Sequence, residues 1–203
     1  MAKTTKNIIV VGGTGLGKSA LCNVLTGTGK FKEAGYAVSQ TQDNQEEIVM
    51  FDNIDNTEFC VVDTVGIGNT GQPTKDVLKK LRSAFKNIWH VLLVTDGRFS
   101  KEEIEIYDIL KSKFKESHVT IVRTKFSNFR RRDECEEDIK AMLSLDKKIA
   151  KIINKCKVIH VDNPPTDIQY NGDDDDDDDI KAQNNYNTKT REKSRKILLN
   201  YLA

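Results

Sequence analysis

Gly12-Gly13-Thr14-Gly15-Leu16-Gly17-Lys18-Ser19 stands directly after the aliphatic run Ile8-Ile9-Val10-Val11 and directly before a stretch of helical character at 19–25. It fits G-x-x-x-x-G-K-[ST] in the strand, loop and helix frame that gives this pattern its meaning. Glycines let consecutive backbone N–H groups turn inward around an anion, and the start of the helix adds its partial positive charge. A lysine at the seventh position can reach the β- and γ-phosphates of a nucleotide, and the hydroxyl at the eighth can ligate Mg²⁺. The residues expected to line a polyphosphate are therefore Gly12, Gly13, Thr14, Gly15, Leu16, Gly17, Lys18, Ser19 and the adjoining Ala20. A dinucleotide fingerprint does not fit, because starting G-x-G-x-x-G at Gly13 puts Lys18 where the last glycine belongs.

Outward from this loop, short β-branched runs alternate with amphipathic stretches. Strands are predicted at 7–11, 46–51, 58–63, 90–95, 119–123 and 157–161. One helix is predicted at 74–88, where Val77, Leu78, Leu81, Ala84, Phe85 and Ile88 recur at helical spacing. Another follows Ser100-Lys101-Glu102-Glu103, which has the capping-box form and leads into a stripe of Ile104, Tyr107, Leu110 and Phe114. Two more are predicted at 133–155 and 188–202. The alternation implies a three-layer α/β/α sandwich of the P-loop NTPase kind, with a mostly parallel six-stranded sheet. Residues 164–187 break the rhythm with two prolines, Gly172, four asparagines and the seven aspartates Asp173 to Asp179. Adjacent carboxylates repel one another and bury nothing, and a calcium loop would interleave glycine, so a disordered acidic loop is expected here.

The chain has 203 residues, enough for one domain spanning 1–203. Its 32 Lys+Arg nearly balance 31 Asp+Glu, and the mild basic bias outside the aspartate run is too weak to argue for a nucleic-acid partner. The longest purely aliphatic stretches have four residues, against about 20 for a bilayer-spanning helix, so no membrane span is expected. With no apolar leader and Ala2 in place of a myristoylated glycine, the expected location is cytoplasmic. Cys22, Cys60, Cys135 and Cys156 are far apart and are read as free thiols.

Two further elements refine the chemistry. The run Phe59-Cys60-Val61-Val62 ends in Asp63-Thr64-Val65-Gly66. At a strand tip Asp63 can hold a magnesium-bound water, and the Gly66 N–H can approach a γ-phosphate without side-chain obstruction. Between this strand and the phosphate loop lies Ser39-Gln40-Thr41, where Thr41 is the candidate to ligate Mg²⁺ and sense the γ-phosphate, with Ser39 as the competing choice.

These motifs, together with Trp89-His90-Val91-Leu92-Leu93-Val94-Thr95-Asp96-Gly97-Arg98-Phe99-Ser100-Lys101-Glu102-Glu103, resemble the immune-associated, avirulence-induced-gene (AIG) type GTPases, relatives of the septins and the chloroplast import (Toc) GTPases. The resemblance runs over about residues 6–161. It implies an AIG-type G domain that binds GTP/GDP with Mg²⁺ and forms a homodimer through its nucleotide face. It also implies a base-reading loop at Thr124-Lys125-Phe126-Ser127, with Lys125 over the purine and Asn163 in the remaining base-contact loop. Ser127 stands where the family pattern expects a carboxylate, and losing that bidentate contact to guanine should cost about 1–3 kcal/mol. Ile67 stands where Ras-like enzymes orient the attacking water with glutamine, so hydrolysis is expected to be slow. The expected activity is thus a GTPase switch in which Lys18, Thr41 and Gly66 act on the γ-phosphate and Ser19, Thr41 and Asp63 hold the metal. A non-hydrolysing nucleotide-dependent scaffold and an ATP-using P-loop protein are the open alternatives. Arg130-Arg131-Arg132 reads as a solvated helix entrance, and His90 as a packed side chain.

Overall fold

All six predicted strands pair into one sheet in the computed structural model, which describes residues 5–33, 44–51, 57–66, 87–114, 118–169 and 177–203. They are β1 (Lys6–Gly12), β2 (Gln45–Met50), β3 (Glu58–Asp63), β4 (Ile88–Thr95), β5 (Val119–Arg123) and β6 (Lys157–His160), in the spatial order β2-β3-β1-β4-β5-β6. Every pairing is parallel except that of β2 with β3. The sequence explains the difference. β1, β3, β4 and β5 are nearly continuous apolar runs buried on both faces, as central parallel strands require. β2 alternates, buries Glu47 and leaves Ile48 and Met50 exposed, which suits an antiparallel edge.

Five helices are seen among the described residues: α1 (Lys18–Thr26), α2 (Lys101–Lys113), α3 (Arg132–Leu145), α4 (Lys147–Ile153) and α5 (Asp177–Leu202). On one face of the sheet Ile9, Val11, Val62, Leu93 and Ile121 pack with Ile106 and Leu110 of α2, Met142 of α3 and Ile152 of α4. On the other, Ile8, Val10, Val61, Leu92 and Val94 pack with Leu21 and Leu25 of α1 and Leu198 and Leu202 of α5. Odd and even positions of β1 therefore feed different cores, the period-two alternation of a strand. The predicted three-layer sandwich is the observed one. No helix among the described residues is long and apolar enough to cross a membrane, and the four cysteines are free.

The capping box forms as predicted. Ser100 N donates to Glu103 Oε2 at 2.8 Å, and Glu103 N donates to Ser100 Oγ at 3.3 Å. Ser100→Ala should lower stability by about 1 kcal/mol in urea titrations, with no change in nucleotide binding.

Three predicted boundaries are corrected. The helix expected at 133–155 is two helices, because Asp146 adopts an extended conformation and its carboxylate accepts from Lys148 N at 2.6 Å, ending α3 and capping α4. Ile88, expected on the apolar face of the 74–88 helix, begins β4; the rest of that predicted helix up to residue 86 lies outside the described residues. The acidic loop expected over 164–187 gives way at Asp177 to α5, which starts upstream of the predicted 188. Carboxylates at the end of the aspartate run sit at the helix N-terminus, where the helix dipole favours them. The asparagines that resembled loop formers serve as side-chain partners to backbone. Asn184 exchanges two hydrogen bonds with the backbone of Ile168, and Asn187 Nδ2 donates to Pro165 O at 2.6 Å. Residues 170–176 lie outside the described set.

His90 is packed, as expected. Its Nε2 lies 2.6 Å from Thr120 Oγ1, which lies 2.6 Å from the Tyr201 hydroxyl, and burial pushes its pKa down to about 4.

Candidate functional site

The C-terminal ends of β1, β3, β4 and β5 meet above the sheet, and the glycine-rich loop bridges β1 to α1 there. Gly17 caps α1 in the left-handed conformation, and no acidic residue occupies the first helical turn, so nothing there competes with an incoming anion. Ala20 is buried within α1, and Leu16 packs against the α1/α5 core. Gly13 and Gly15 offer their carbonyls to the two lysines of the site. Lys18 Nζ donates to Gly13 O at 2.8 Å, and Lys125 Nζ to Gly15 O at 2.8 Å.

Lys18 is only 7% exposed; burial lowers its pKa, and the nearby Asp63 carboxylate opposes that shift. Ser19 Oγ donates to Asp63 Oδ2 at 2.6 Å. Asp63 is fully buried, its pKa raised by burial against the opposing pull of the Ser19 hydrogen bond and of Lys18. Its Oδ1 finds no hydrogen-bond partner among the described residues. A hydroxyl beside a carboxylate with one open oxygen is a hard-oxygen donor set that fits Mg²⁺, an ion that keeps several waters and takes few protein ligands. Among the described residues no group of three or more His, Cys, Asp or Glu could hold a metal elsewhere. Thr41 and Ser39, named for the third metal contact, and Ile67 lie outside the described residues.

Gly66 rests on the phosphate loop. A Cβ built there would overlap Thr14 Oγ1 and lie 2.9 Å from Thr14 Cα, so only glycine allows the Asp63–Gly66 turn to close this far. Thr64 anchors the turn from below, its Oγ1 donating to Val10 O at 2.8 Å. Thr14 Oγ1 is itself buried without a partner among the described residues.

The loop after β5 is stapled to the phosphate loop. Thr124 Oγ1 donates to Leu16 O at 2.8 Å, while Lys125 holds a left-handed backbone with φ 56 as its ammonium reaches across. Ser127 lies exposed in the turn that follows. Just beyond β6, both amide atoms of Asn163 are buried with no hydrogen-bond partner among the described residues. An unpaired buried donor and acceptor cost free energy unless a ligand satisfies them, and one edge of a base carries both complements. The structure thus brings together Gly12 to Ala20, Asp63, Gly66 and Lys125, while Asn163 stands in the segment that follows β6. Arg131 and Arg132 instead pair with Asp133, Glu134 and Glu136 at the entrance of α3.

Two clusters behind these loops escaped the sequence reading. Asp138 Oδ2 receives Arg123 Nε at 3.3 Å and His160 Nε2 at 3.0 Å, and the Phe126 ring lies against both Arg123 and His160. Arg191 of α5 pairs with Glu33 after α1. Only tertiary pairing joins these residues, so no local pattern announces them.

Residues 7–125 match a protein family described as 50S ribosome-binding GTPase. The chain is 34% identical over 120 residues to Immune-associated nucleotide-binding protein 10 of Arabidopsis thaliana, covering 56% of this chain and 26% of that protein. It is 28% identical over 177 residues to Immune-associated nucleotide-binding protein 7 of the same plant, covering 82% and 56%. The chain therefore spans between about a quarter and just over half of the length of these relatives. Among solved structures, Toc33 from Arabidopsis thaliana in complex with Mg²⁺ and GMPPNP superposes with a TM-score of 0.55 at 16% identity, covering 93% of this chain and 87% of that one. A second structure, described by the statement that dimerization is important for the GTPase activity of chloroplast translocon components atToc33 and psToc159, gives 0.55 at 15% identity, covering 92% and 84%. At these identities the structures show a common fold.

Proposed function

The chain belongs to the family described as 50S ribosome-binding GTPase, and from that premise we propose that it is a magnesium-dependent guanine-nucleotide switch that hydrolyses GTP slowly. The observation that carries this reading is the convergence of Lys18, the Ser19–Asp63 pair at 2.6 Å and the Gly66 turn on one loop. Backbone amides of the loop and the Lys18 ammonium grip the phosphate chain. Ser19 and Asp63 would hold Mg²⁺, with Thr41 the candidate for a further contact, and the ion when bound would neutralise charge on the β- and γ-phosphates. The Gly66 N–H meets the γ-phosphate, and because this turn already touches Thr14, the presence of that phosphate is registered as a change in its position. Lys125 covers one face of the purine and Asn163 reads its edge. Ile67 cannot polarise an attacking water, which supports a slow rate.

Pairing of two G domains across the nucleotide face is the regulation this reading favours. Beside Lys125 lies a cleft of about 330 Å³ lined in part by Asp96, Arg98, Arg123 and Leu145, with Arg98 and Leu145 largely exposed at its rim. A partner surface could fill it. The statement on dimerization made for the chloroplast proteins is consistent with this arrangement.

Ser127 favours one second reading, a site that accepts ATP as well. Competition of GTP, GDP and ATP for the protein, with and without Mg²⁺, separates the two. Magnesium-dependent binding with GTP preferred over ATP is expected; the switch reading fails if no such binding of GTP is found. Ser127→Asp should raise the preference for GTP over ATP by roughly tenfold or more, the equivalent of about 1–3 kcal/mol from a restored carboxylate contact to guanine. Single-turnover hydrolysis at high protein concentration separates a slow GTPase from a non-hydrolysing scaffold.

A further inference from the structure

We propose that Arg191 is a positioning residue for base recognition: a three-way clamp that fixes the Asn163 loop to the chain following α1 and so pre-sets the nucleotide's base site. The inference rests on the reading above and goes beyond it, because the guanidinium of Arg191 bonds to Glu33 and Pro164, which lie outside the phosphate loop.

All three edges of the Arg191 guanidinium are used. Nη1 and Nη2 donate to Glu33 Oε1 and Oε2 at 2.8 and 2.6 Å, a fork-to-fork ion pair, and Nε donates to Pro164 O at 2.6 Å. The side chain is 14% exposed and that of Glu33 31%, so solvent screens the pair only in part. Glu33 is itself fixed. Its Oε1 accepts from Asn23 Nδ2 of α1 at 2.8 Å, and the same amide holds Phe31 through Phe31 O at 2.8 Å and Phe31 N at 2.9 Å. One arginine therefore ties α5, the chain leaving α1, and the residue directly after Asn163.

The neighbours of Arg191 on α5 complete the grip. Ser194 Oγ donates to Asp162 O at 2.7 Å and accepts from Asp162 N at 3.1 Å, while Asn187 Nδ2 donates to Pro165 O at 2.6 Å. Asp162, Pro164 and Pro165 are thus each bonded to α5, and the residue they bracket, Asn163, is left with a buried amide aimed at no partner among the described residues. An irregular segment held at both flanks with its central polar group unpaired has been ordered ahead of a ligand, which lowers the entropy lost on binding. Arginine is suited to this task because its planar fork matches a carboxylate and still leaves Nε for a carbonyl; lysine cannot serve both.

The clamp acts on the base and not on the phosphates, and that split supplies the test. Affinities for Mg²⁺-GTP and for Mg²⁺-tripolyphosphate are measured on the full chain and on Arg191→Ala, Arg191→Lys and Glu33→Gln, with circular dichroism and melting curves as a folding control. Arg191→Ala should weaken GTP about tenfold or more and leave tripolyphosphate within about twofold. Arg191→Lys should restore little, and Glu33→Gln, which keeps the Pro164 bond, should give a smaller loss of the same kind. Equal losses for GTP and tripolyphosphate, or unchanged GTP affinity in a folded Arg191→Ala protein, overturn the proposal while leaving the switch reading in place. If Arg191→Ala does not fold, the GTP-to-tripolyphosphate ratio of Glu33→Gln decides. A wild-type protein that binds tripolyphosphate but not GTP removes both readings together.

Discussion

Lys18→Ala is expected to reduce affinity for GTP and GDP by two orders of magnitude or more without unfolding the protein. Hydrogen bonds to charged groups contribute about 1.5–3 kcal/mol each, and one ammonium within reach of both the β- and γ-phosphates makes two of them. The fold asks little of this side chain. Among the described residues its Nζ donates to Gly13 O alone, and burial works against its charge by lowering its pKa. Removing it also takes away the cation nearest the buried Asp63, so the melting temperature should move only slightly and the Asp63 pKa should rise further. Titration with a fluorescent nucleotide, paired with a thermal melt, checks both halves. Undiminished affinity in the alanine variant would remove the phosphate loop from the account of function.

The largest expected effect on stability belongs to Gly12→Ala. Gly12 ends β1 opposite Val94 of β4 with a φ of 153. A Cβ at that position would lie 2.7 Å from Val94 O and 3.3 Å from Val94 Cβ. The carbonyl is backbone in the middle of the sheet and has no rotamer by which to yield. Strained backbone costs of order 1–3 kcal/mol, and overpacking a filled core typically another 1–3. Against a total of about 5–15 kcal/mol, the substitution should lower the melting temperature by about 5–20 °C. A melting temperature within about 2 °C of wild type would show that β1 and β4 can separate at their tips, and that the site above them is softer than described.

Much of the fold was legible because its signals are local. Most strands centre on a run of β-branched and aliphatic residues, and predicted ends fall within two residues of the observed ones. Ser100 and Glu103 announced the start of α2 by chemistry alone. The failures came where polar residues serve two purposes. Asp146 is an unremarkable helix residue by spacing, yet its carboxylate competes for backbone N–H groups and divides the helix. Asn184 and Asn187 carry loop-forming propensity, but here they lie in a helix and satisfy the backbone of a neighbouring segment. The site divides in the same way. Lys18, Ser19, Asp63 and Gly66 belong to short motifs that local spacing reveals, whereas Arg191 and Glu33 are 158 residues apart in the chain and meet only once α5 has docked.

The position of β1 in the sheet has a consequence for how this chain comes into being. Within this sheet β1 is an interior strand, and it is synthesised before both of its partners, β3 and β4. Until then Ile8 to Val11 have no edge to join, and the pairing that eventually buries them joins residues far apart in the sequence, a combination that slows folding and exposes sticky surface. A nascent chain with its nucleotide loop already made is therefore still unable to hold a nucleotide.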